Sequence, residues 1–480
     1  MRIAAIDQGT TSTRVLALGA DGALRPILSL PHGQSYPPPG HVEQDAEELL
    51  ANIRRCLDAA APDVVGLANQ GESCLAWDAR DGRPVGPVIS WQDDRTADVT
   101  AGLERDDAGP LVMARAGLPL DPYFSAAKLG WILRHHPGAA DLARQGRLRL
   151  GTTDAFFRDR LTGRFETDIA TASRTSLMNL ETGAWDPDLC ALFGVPMDCL
   201  PKIGPTSGDL GTLPGGARLV ASIVDQQAAL YGHGCRRPGA AKVTFGTGAF
   251  VQCLTGALVR PARPGPLPTV AWQKTGEPVT YALDGGVYAA ASAVNWARGL
   301  GLFAEFAEIS AFAAQPAIDR GLVFVPAVAG LGCPHWQRAT RGAWLGLGLG
   351  HGKGDLMQAL LEGVALRTAE VLDAMRQLHA LDGPVSVDGG LSRNGYFLAF
   401  LAEVAGQDLI LPDETEQTAA GLARMAAEAS GITVADAAPG RLVRASQDRR
   451  ADRLARFARV RQGLSDLAGA LGPGDDGAAC

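Results

Sequence analysis

The sequence predicts an α/β protein built from two related halves, and three observations lead to this prediction. Short apolar runs of strand-like composition alternate along the chain with longer segments in which apolar residues recur at helical spacing. Several of these runs end abruptly in polar residues, as strands do at the ligand-binding edge of an open α/β sheet. A strand–turn–strand pattern at the start of the chain recurs near its middle, which suggests an internal duplication. At 480 residues the chain is long enough for two or three domains.

The composition is that of an ordinary globular protein, with 46% hydrophobic and 20% charged residues. The formal net charge of -8 and the absence of a long basic run argue against nucleic acid or an anionic membrane as a partner and favour a neutral substrate. The eight cysteines include no CxxC pair, which argues against a zinc site and a disulfide framework. Strand-like sequence begins within three residues of Met1, and there is no apolar run of about 18 residues. We therefore expect a cytoplasmic protein without a signal peptide or membrane insertion.

Residues 3–18 predict a β-hairpin with an unusual turn. The hairpin carries a carboxylate at Asp7, a glycine at Gly9, four hydroxyl residues at 10–13 and an arginine at Arg14. Glycine lets the backbone approach a ligand closely, amides and hydroxyls can donate to phosphate oxygens, and Arg14 can neutralise their charge. A carboxylate beside a phosphate site suggests Mg²⁺ between the two. The alternative is a threonine-rich turn in which Asp7 accepts hydrogen bonds from local amides.

The rest of the first half predicts a helix around residues 49–57 and a buried strand at 64–68 that ends in the polar residues 69–72. A second strand edge follows at 88–95 and a helix entry at 121–133, whereas pattern alone does not place the polar elements of 151–176. The apolar run 219–224 leads directly into Asp225. A carboxylate at the mouth of a buried strand is a candidate general base, and the alternative is an aspartate that caps the next helix.

The second half begins with a plausible domain junction at 235–240, followed by two short strands around the turn Gly246-Thr247-Gly248, which echo the opening hairpin. Two such hairpins that face each other across a cleft would form a nucleotide site. Strands are predicted at 322–326, 385–387 and 409–411, and helices at 355–379, from about 394 and from about 418. Small residues around Gly421 would let an adenine ring lie against the backbone, and the alternative is close packing between helices.

Several motifs are absent from the sequence. There is no GxxxxGK[ST] loop, which excludes P-loop kinases, and no GxGxxG fingerprint, which weakens a dehydrogenase interpretation. The lack of HExxH and the dispersed histidines leave a zinc hydrolase without support. A GxSxG nucleophile elbow is also missing.

Taken together, the motifs resemble those of the FGGY family of carbohydrate kinases, and within that family most resemble those of the glycerol kinases. Residues 7–12 resemble the first phosphate loop of the family, residues 123–135 one of its signatures and residues 346–362 the other. The resemblance extends from Asp7 to about residue 430. It implies two actin-like (ribonuclease-H-like) domains, at 1–234 and 235–480, with an interdomain active-site cleft. It also implies ATP and Mg²⁺, a small polyol or sugar substrate, and a homodimer or homotetramer.

The resemblance assigns a role to each matching residue. Asp225 would be the catalytic base, and Asp7 would lie near Mg²⁺. The residues that would contact the phosphates are Thr10, Thr11, Ser12, Arg14, Gly246, Thr247 and Gly248. The residues that would line the ATP pocket are Gly330, Gly390 and Gly421. The residues that would hold the polyol are Glu72, Trp91, Tyr123, Asp225, Gln226 and Phe250.

This sequence departs from the glycerol kinase pattern at three places. Gly71 stands where glycerol kinases carry an arginine that holds substrate hydroxyls, which predicts weak glycerol kinase activity or a preference for a longer polyol or ketose. Val224 replaces the glycine that usually precedes the catalytic aspartate. The loop at 214–218 does not match the region that binds fructose 1,6-bisphosphate in some glycerol kinases, so this regulation is not expected.

The sequence supports one main hypothesis and two rivals. The main hypothesis is ATP-dependent phosphorylation of a terminal hydroxyl of glycerol or a closely related polyol. The rival within the family is a kinase for a tetritol, a pentitol or a ketopentose such as xylulose or ribulose. The rival from another class is an actin-like ATPase without a sugar substrate. Asp225, together with residues suited to holding a polyol, favours the kinase over the ATPase.

Overall fold

The computed structural model describes residues 1–37, 40–434, 440–446 and 449–471. The elements of the first half are, in chain order, β1 (Ile3–Gln8), β2 (Ser12–Leu18), β3 (Leu24–Pro31), β4 (Glu43–Gln44), α1 (Ala46–Ala60), β5 (Val64–Asn69), β6 (Cys74–Asp78), β7 (Val88–Ile89), α2 (Ala97–Arg105), α3 (Gly109–Ala116), α4 (Ser125–His135), α5 (Ala139–Arg144), β8 (Leu148–Thr152), α6 (Thr153–Thr162), β9 (Glu166–Asp168), α7 (Ile169–Ala172), β10 (Met178–Asn179), β11 (Ala184–Trp185), α8 (Pro187–Phe193), β12 (Lys202–Gly204), β13 (Arg218–Val224) and α9 (Asp225–Gly232).

The elements of the second half are β14 (Ala241–Phe245), β15 (Ala249–Gly256), β16 (Leu267–Trp272), β17 (Thr280–Val287), α10 (Ala291–Gly299), β18 (Val323–Val325), β19 (Ala343–Leu345), α11 (Lys353–Leu378), β20 (Val385–Gly389), α12 (Gly395–Ala405), β21 (Leu409–Leu411), α13 (Gln417–Ala429), β22 (Arg441–Val443) and α14 (Arg450–Leu471). Short 3₁₀ turns lie at Met197–Cys199, Phe306–Ile309, Ala317–Arg320 and Gly390–Arg393. No helix in these described ranges is long and apolar enough to cross a membrane.

The central sheet of the first half has the strand order β13-β5-β1-β2-β3. The hairpin predicted at residues 3–18 is confirmed, since β1 and β2 pair antiparallel, and β3 extends the same meander. On the other side β5 runs parallel to β1, and β13 runs parallel to β5. All six residues of β1 and of β5 are buried, as expected for strands covered on both faces. The carboxyl ends of these three parallel strands therefore meet at one edge of the sheet.

The sheet of the second half repeats this arrangement. Its order is β16-β17-β15-β14-β20-β21-β22, in which β17, β15 and β14 form the antiparallel meander. The strand β20 runs parallel to β14, and β21 runs parallel to β20. The two sheets share the order of five core strands and their relative directions, so the internal duplication predicted from the two hairpins is confirmed. The strands β16 and β22 are additions at the edges of the second sheet.

The interpretation of Asp225 as a helix cap is wrong. Asp225 is the first residue of α9, and Val224 occupies the capping position without a side-chain hydrogen bond to the helix. In the described residues, the Asp225 carboxylate accepts one hydrogen bond. Its donor is the backbone amide of Gln226, which lies 2.7 Å from Oδ1. The carboxylate is therefore available for other chemistry at the end of β13.

Helix α13 belongs to the second half in sequence but packs on the sheet of the first half. A side chain in place of Gly66 of β5 would meet the backbone of Leu422 at 2.9 Å, and Ala419, Leu422 and Ala423 share a core with Ala5 and Ala68. Gly421 lies where α13 crosses α9, and a Cβ atom there would stand 1.8 Å from the carbonyl oxygen of Ala228. The small residues of this segment thus serve close helix packing.

We expect that Gly421→Ala lowers the free energy of unfolding by about 1–3 kcal/mol, because the added methyl group meets backbone atoms that cannot turn away. Gly463 of α14 is the matched control, since it is exposed and a Cβ atom there meets nothing within 4 Å. Gly463→Ala is expected to raise the free energy of unfolding by about 0.5–1 kcal/mol through helix propensity alone. Denaturant unfolding of both variants tests this, and equal effects of the two substitutions would contradict it.

Candidate active site

Three carboxylates lie together at the carboxyl ends of neighbouring parallel strands. Asp7 is the penultimate residue of β1, Glu72 follows the end of β5, and Asp225 follows the end of β13. The registers of these strands bring the ends of β1 and β13 level with Asn69 of β5. Asp7 and Glu72 are only 6% and 4% exposed, and Asp225 is half-buried. The sequence predicted this edge as a ligand site, and the structure brings the three acidic groups to it.

Crowding and burial make Asp225 an unusual carboxyl group. Burial raises its pKa to about 7, and the negative charges of Asp7 and Glu72 act in the same direction. The amide of Gln226 and the charge of Lys242 oppose the shift. An aspartate whose pKa lies near neutrality can accept a proton and release it again at physiological pH. This is the property that a general base needs.

Lys242 reaches the site from the second half of the molecule, and the sequence analysis missed it. It is fully buried in β14, where its Nζ atom donates to Gln226 Oε1 at 2.8 Å and to Thr244 Oγ1 at 3.1 Å. Burial lowers the pKa of Lys242. The nearby carboxylates of Asp388, Asp284 and Asp225 act in the opposite direction but do not cancel this effect. The side chain thus anchors Gln226, which was predicted to hold the acceptor, to the opposite half. Lys242 alternates with apolar residues along the strand, and this pattern predicts a lysine that is exposed to solvent.

Glu72 sits on a tight turn and is paired with a second residue that the sequence analysis did not single out. Its φ is 57°, and the amide of Ser73 donates across it to the carbonyl oxygen of Gly71 at 2.6 Å. The Nε atom of Arg174 donates to Glu72 Oε1 at 2.7 Å, and Arg174 Nη1 lies 3.3 Å from Asp284 Oδ2 in β17. Burial disfavours the charged form of Arg174, but the carboxylates of Glu72 and Asp284 favour that form more strongly. The pKa of Arg174 is therefore raised. Arg174 therefore joins carboxylates of the two halves.

Two of the aromatic residues predicted for the acceptor side, Trp91 and Tyr123, lie beside these groups. The Trp91 Nε1 atom donates to Thr10 Oγ1 at 3.0 Å, and the Trp91 ring contacts the edge of Tyr123 at a centroid distance of 5.6 Å. Burial raises the pKa of Tyr123 well above its usual value, and the charge of Glu72 adds to the effect. Phe250 is half-buried in β15 of the second half, where it pairs with Thr244. Trp91 thus connects the predicted acceptor residues to the first predicted phosphate loop.

In the first predicted phosphate loop, the strongest contact is that of Arg14. Its Nη2 atom donates to Asp7 Oδ2 at 2.9 Å, and its Nη1 atom lies 2.9 Å from Glu416 Oε2, just before α13. Burial raises the pKa of Asp7, although the positive charge of Arg14 acts to lower it. Thr11 is exposed at the tip of the turn and Ser12 is half-buried, so both are accessible. The loop therefore presents a guanidinium and hydroxyls around one buried carboxylate.

The second predicted phosphate loop is braced by the start of α10. The amides of Ala290 and Ser292 donate to the carbonyl oxygen of Thr247 at 2.9 and 3.1 Å. Gly246 is half-buried and Thr247 is exposed, whereas Gly248 is buried, and a Cβ atom there would stand 2.6 Å from the carbonyl oxygen of Val287. The loop is thus a fixed turn whose exposed tip is Thr247.

The three glycines predicted for the ATP pocket have different surroundings. Gly390 is exposed, and it follows Gly389, which pairs with Phe245 next to the second loop. A Cβ atom on Gly390 would meet nothing within 4 Å, so the space beside it is open. Gly330 has a φ of 85° and is packed against the backbone of Arg338, and Gly421 is enclosed between helices. Close packing accounts for these two glycines, and their contact with a nucleotide stays a prediction.

The models of the N-terminal and C-terminal domains of the FGGY family of carbohydrate kinases match residues 2–222 and 241–430. This chain belongs to the FGGY family of carbohydrate kinases. The predicted family, the predicted class of enzyme and the two-domain actin-like fold are thereby confirmed.

Relatives within the family share this organisation over almost their whole length. The chain is 38% identical to a glycerol kinase of Bdellovibrio bacteriovorus, over 90% of this chain and 91% of the relative. It is 41% identical to a glycerol kinase of Trichlorobacter lovleyi, over 89% of this chain and 90% of the relative. A solved Plasmodium falciparum glycerol kinase with ADP superposes with a TM-score of 0.89 at 25% identity, over 96% of this chain and 98% of that one.

We expect that Arg14→Gln raises the KM for MgATP by about tenfold or more, because the predicted phosphate loop loses its guanidinium and Asp7 is left without its cation. Glu416→Gln is the matched control, because it removes the other partner of Arg14 and keeps the contact with Asp7. Steady-state kinetics with varied MgATP provides the measurement. Equal changes in the KM for MgATP in both variants would contradict a direct role of Arg14 at the phosphates.

Proposed function

We propose that this chain transfers the γ-phosphoryl group of ATP to a terminal hydroxyl of glycerol or a closely related polyol. The observation that carries the proposal is the environment of Asp225. Its carboxyl group, with a pKa raised to about 7, is coupled both to Glu72 on the predicted acceptor side and to Asp7 on the predicted phosphate side. The names of the relatives at 38–41% identity support glycerol as the acceptor. The glycerol kinase solved with ADP supports an adenine nucleotide as the donor.

Asp225 would act as the base that removes the proton from the attacking hydroxyl. An uncharged polyol is a weak nucleophile, and a base in hydrogen-bond reach contributes roughly 10²–10⁴-fold. Glu72 and Gln226 would orient the remaining hydroxyls, and the rings of Trp91, Tyr123 and Phe250 would contact the carbon atoms. Phosphoryl transfer otherwise depends on positioning and on neutralising charge, which amide-rich turns and Arg14 supply.

Asp7 fits the predicted role of a residue that holds Mg²⁺. Its carboxylate is buried, and it lies close enough to Asp225 to raise the pKa of that group, so a cation between them would relieve their repulsion. Among the described residues no cluster of three or more histidine, cysteine, aspartate or glutamate side chains could bind a metal ion alone. Water and the nucleotide phosphates would complete the ligand set, as is usual for Mg²⁺. Bound there, Mg²⁺ would neutralise the charge that develops on the phosphates.

The contacts across the two halves support closure around the acceptor. Lys242 binds Gln226, and Arg174 joins Glu72 to Asp284, so the residues that hold a polyol are completed only when the halves meet. Closure excludes water, which would otherwise compete with the polyol for the phosphoryl group. We also propose that the enzyme works in the cytoplasm. The cysteines of the described residues are free and buried, as suits a reducing compartment.

In the test of this function, ADP formation by the wild type should depend on glycerol or a close polyol. A panel of C3–C6 polyols and ketoses, with coupled detection of ADP, ranks the acceptors by kcat/KM. Asp225→Asn should lower kcat by at least about 10²-fold and leave the affinity for ATP within about twofold, because the amide cannot accept the proton. A rate of ADP release that no acceptor changes would favour the ATPase, and an optimum at a ketopentose would favour the rival within the family.

The raised pKa predicts the pH dependence of the reaction. Below pH 7 Asp225 is protonated and cannot act as a base, so kcat/KM for the acceptor should rise with pH and level off above about 7. Lys242→Met removes a charge that lowers the pKa of Asp225, so the rise should move to higher pH. Lys202→Met, at an exposed lysine of β12, is the control and should leave the profile unchanged. A profile that Lys242→Met does not move would exclude this coupling.

A further inference from the structure

Residues 331–338 of the second half form a hairpin that is held firmly on its own half. Leu331 and Gln337 exchange backbone hydrogen bonds of 2.9 and 2.8 Å, which close the hairpin. The Nη2 atom of Arg367 in α11 donates to the carbonyl oxygen of Cys333 at 2.7 Å. Since Arg367 is fully buried, this bond ties the hairpin to the long helix of the second half. We call this segment the 331–338 hairpin.

The last residue of the hairpin, Arg338, binds a carboxylate of the first half. Its Nη2 atom donates to Asp121 Oδ1 at 2.6 Å and to Asp121 Oδ2 at 2.7 Å, and its Nε atom donates to Oδ2 at 3.1 Å. A guanidinium that contacts both oxygens of a carboxylate makes a strong and directional ion pair. The Asp121 side chain is 11% exposed and that of Arg338 is 58% exposed, so the pair lies at the rim of the contact between the halves.

Asp121 also fixes the turn that presents Tyr123. Its Oδ1 atom accepts the backbone amide of Tyr123 at 2.9 Å. Burial and the nearby charges of Glu72 and Asp225 raise the pKa of the Tyr123 hydroxyl, so this group lies close to the acidic groups of the candidate site. The ion pair from Arg338 therefore ends on the residue that orients one ring of that site.

The 331–338 hairpin also packs behind the second predicted phosphate loop. A Cβ atom on Gly332 would stand 3.3 Å from the ring of Tyr288. Tyr288 in turn lies against the loop, because a Cβ atom on Gly248 would stand 3.1 Å from the carbonyl oxygen of Tyr288. A continuous series of contacts thus leads from the second predicted phosphate loop, through the hairpin, to the turn that carries Tyr123.

We propose that Arg338 is a positioning residue for the acceptor: its ion pair with Asp121 is a latch that holds the 331–338 hairpin to the Tyr123 turn and completes the acceptor side when the halves meet. When the latch is broken, the other contacts between the halves remain, but the Tyr123 turn is held less firmly. The acceptor then binds more weakly, and water reaches the phosphates more often. This inference rests on the proposed function for the reaction and on the contacts of the hairpin for the latch.

The kinetics of Arg338→Gln test the latch, with the first-ranked acceptor of the C3–C6 panel, which is glycerol under the proposed function. The KM for the acceptor should rise about tenfold and the KM for MgATP should change by less than about twofold, because the latch ends on the acceptor side. The share of ATP that is hydrolysed to inorganic phosphate, instead of being transferred to the acceptor, should rise at least about fivefold. Equal rises of the two KM values, or an unchanged share of hydrolysis, would overturn the proposal.

Arg444→Gln is the matched control for this experiment. Arg444 is also exposed, and its Nη1 atom donates to Asp408 Oδ2 at 2.8 Å. Like Asp121, Asp408 accepts a backbone amide as well, that of Ala445. Both partners of this pair lie in the second half, so its loss should change neither KM value nor the share of ATP that is hydrolysed. An Arg444→Gln variant that matches Arg338→Gln would overturn the specific role of Arg338.

A double-mutant cycle tests whether Arg338 acts through Asp121. Asp121→Asn removes the negative charge but keeps an oxygen that can accept the Tyr123 amide, so it should break the latch without releasing the turn. Asp121→Asn, Arg338→Gln and the double variant should therefore raise the KM for the acceptor by the same factor, within about twofold. A double variant whose KM rises by the product of the two single effects would overturn the latch.

These measurements separate the failure of this inference from the failure of the proposed function. A wild type that phosphorylates no polyol of the C3–C6 panel would overturn the proposed function and the positioning role together, while the same cycle on the free energy of unfolding would still show whether Arg338 and Asp121 are coupled. A wild type that phosphorylates polyols, combined with an Arg338→Gln variant of unchanged kinetics, would overturn the positioning role alone.

Discussion

The burial of three carboxylates at one sheet edge is the constraint on which the rest of the site depends. Taking a carboxylate out of water is costly unless a cation or hydrogen-bond donors accompany it. Asp7 has Arg14, Glu72 has Arg174, and Asp225 has the nearby charge of Lys242. Arg14 and Arg174 of the first half also contact Glu416 and Asp284 of the second half. Lys242 belongs to the second half and donates to Gln226 of the first. The charges that make burial tolerable are therefore the same contacts that hold the two halves together.

The unequal pairing of the three carboxylates gives them different chemistry. Asp7 and Glu72 each accept a direct hydrogen bond from an arginine, whereas within the described part of the chain Asp225 accepts only a backbone amide. At Asp7 and Glu72 burial raises the pKa, and the arginine beside each carboxylate opposes this effect. Burial, together with the charges of Asp7 and Glu72, raises the pKa of Asp225 to about 7, and the charge of Lys242 only partly opposes this effect. Asp225 thus differs from the other two carboxylates in that no cation donates a direct hydrogen bond to it in the described residues, which leaves its oxygens open to a substrate hydroxyl.

Much of the fold could be predicted from the sequence because its signals are local. The two hairpins, the buried strands that end in polar residues and the long helix α11 each follow from patterns within about 10–25 residues. Asp225 could be placed for the same reason, since it directly follows an apolar run. Arg174 and Asp284 could not be placed, because their partner Glu72 lies 102 residues from Arg174 and no local pattern reveals the pair.

For Lys242 and helix α13, the sequence shows the residue types but does not show which residues are their neighbours in space. A lysine in a strand reads as an exposed residue because burial of an unpaired ammonium is rare, and its partner Gln226 comes from the other half. The small residues of α13 allowed either a ligand or a helix as their neighbour, because both need a backbone without large side chains. The packing of Gly421 against Ala228 shows that a helix is one neighbour, and contact with a nucleotide stays a prediction.

The position of α13 has a consequence for how the protein is made. The sheet formed by residues 1–224 is covered in part by Ala419, Leu422 and Ala423, which the ribosome adds almost 200 residues after β13 is complete. Until then the apolar surface around Ala5, Ala68 and Ile223 has no cover from that side. The N-terminal sheet therefore reaches its final packing only when the second sheet has largely been synthesised. The two halves, although built on one plan, mature as a single folding unit.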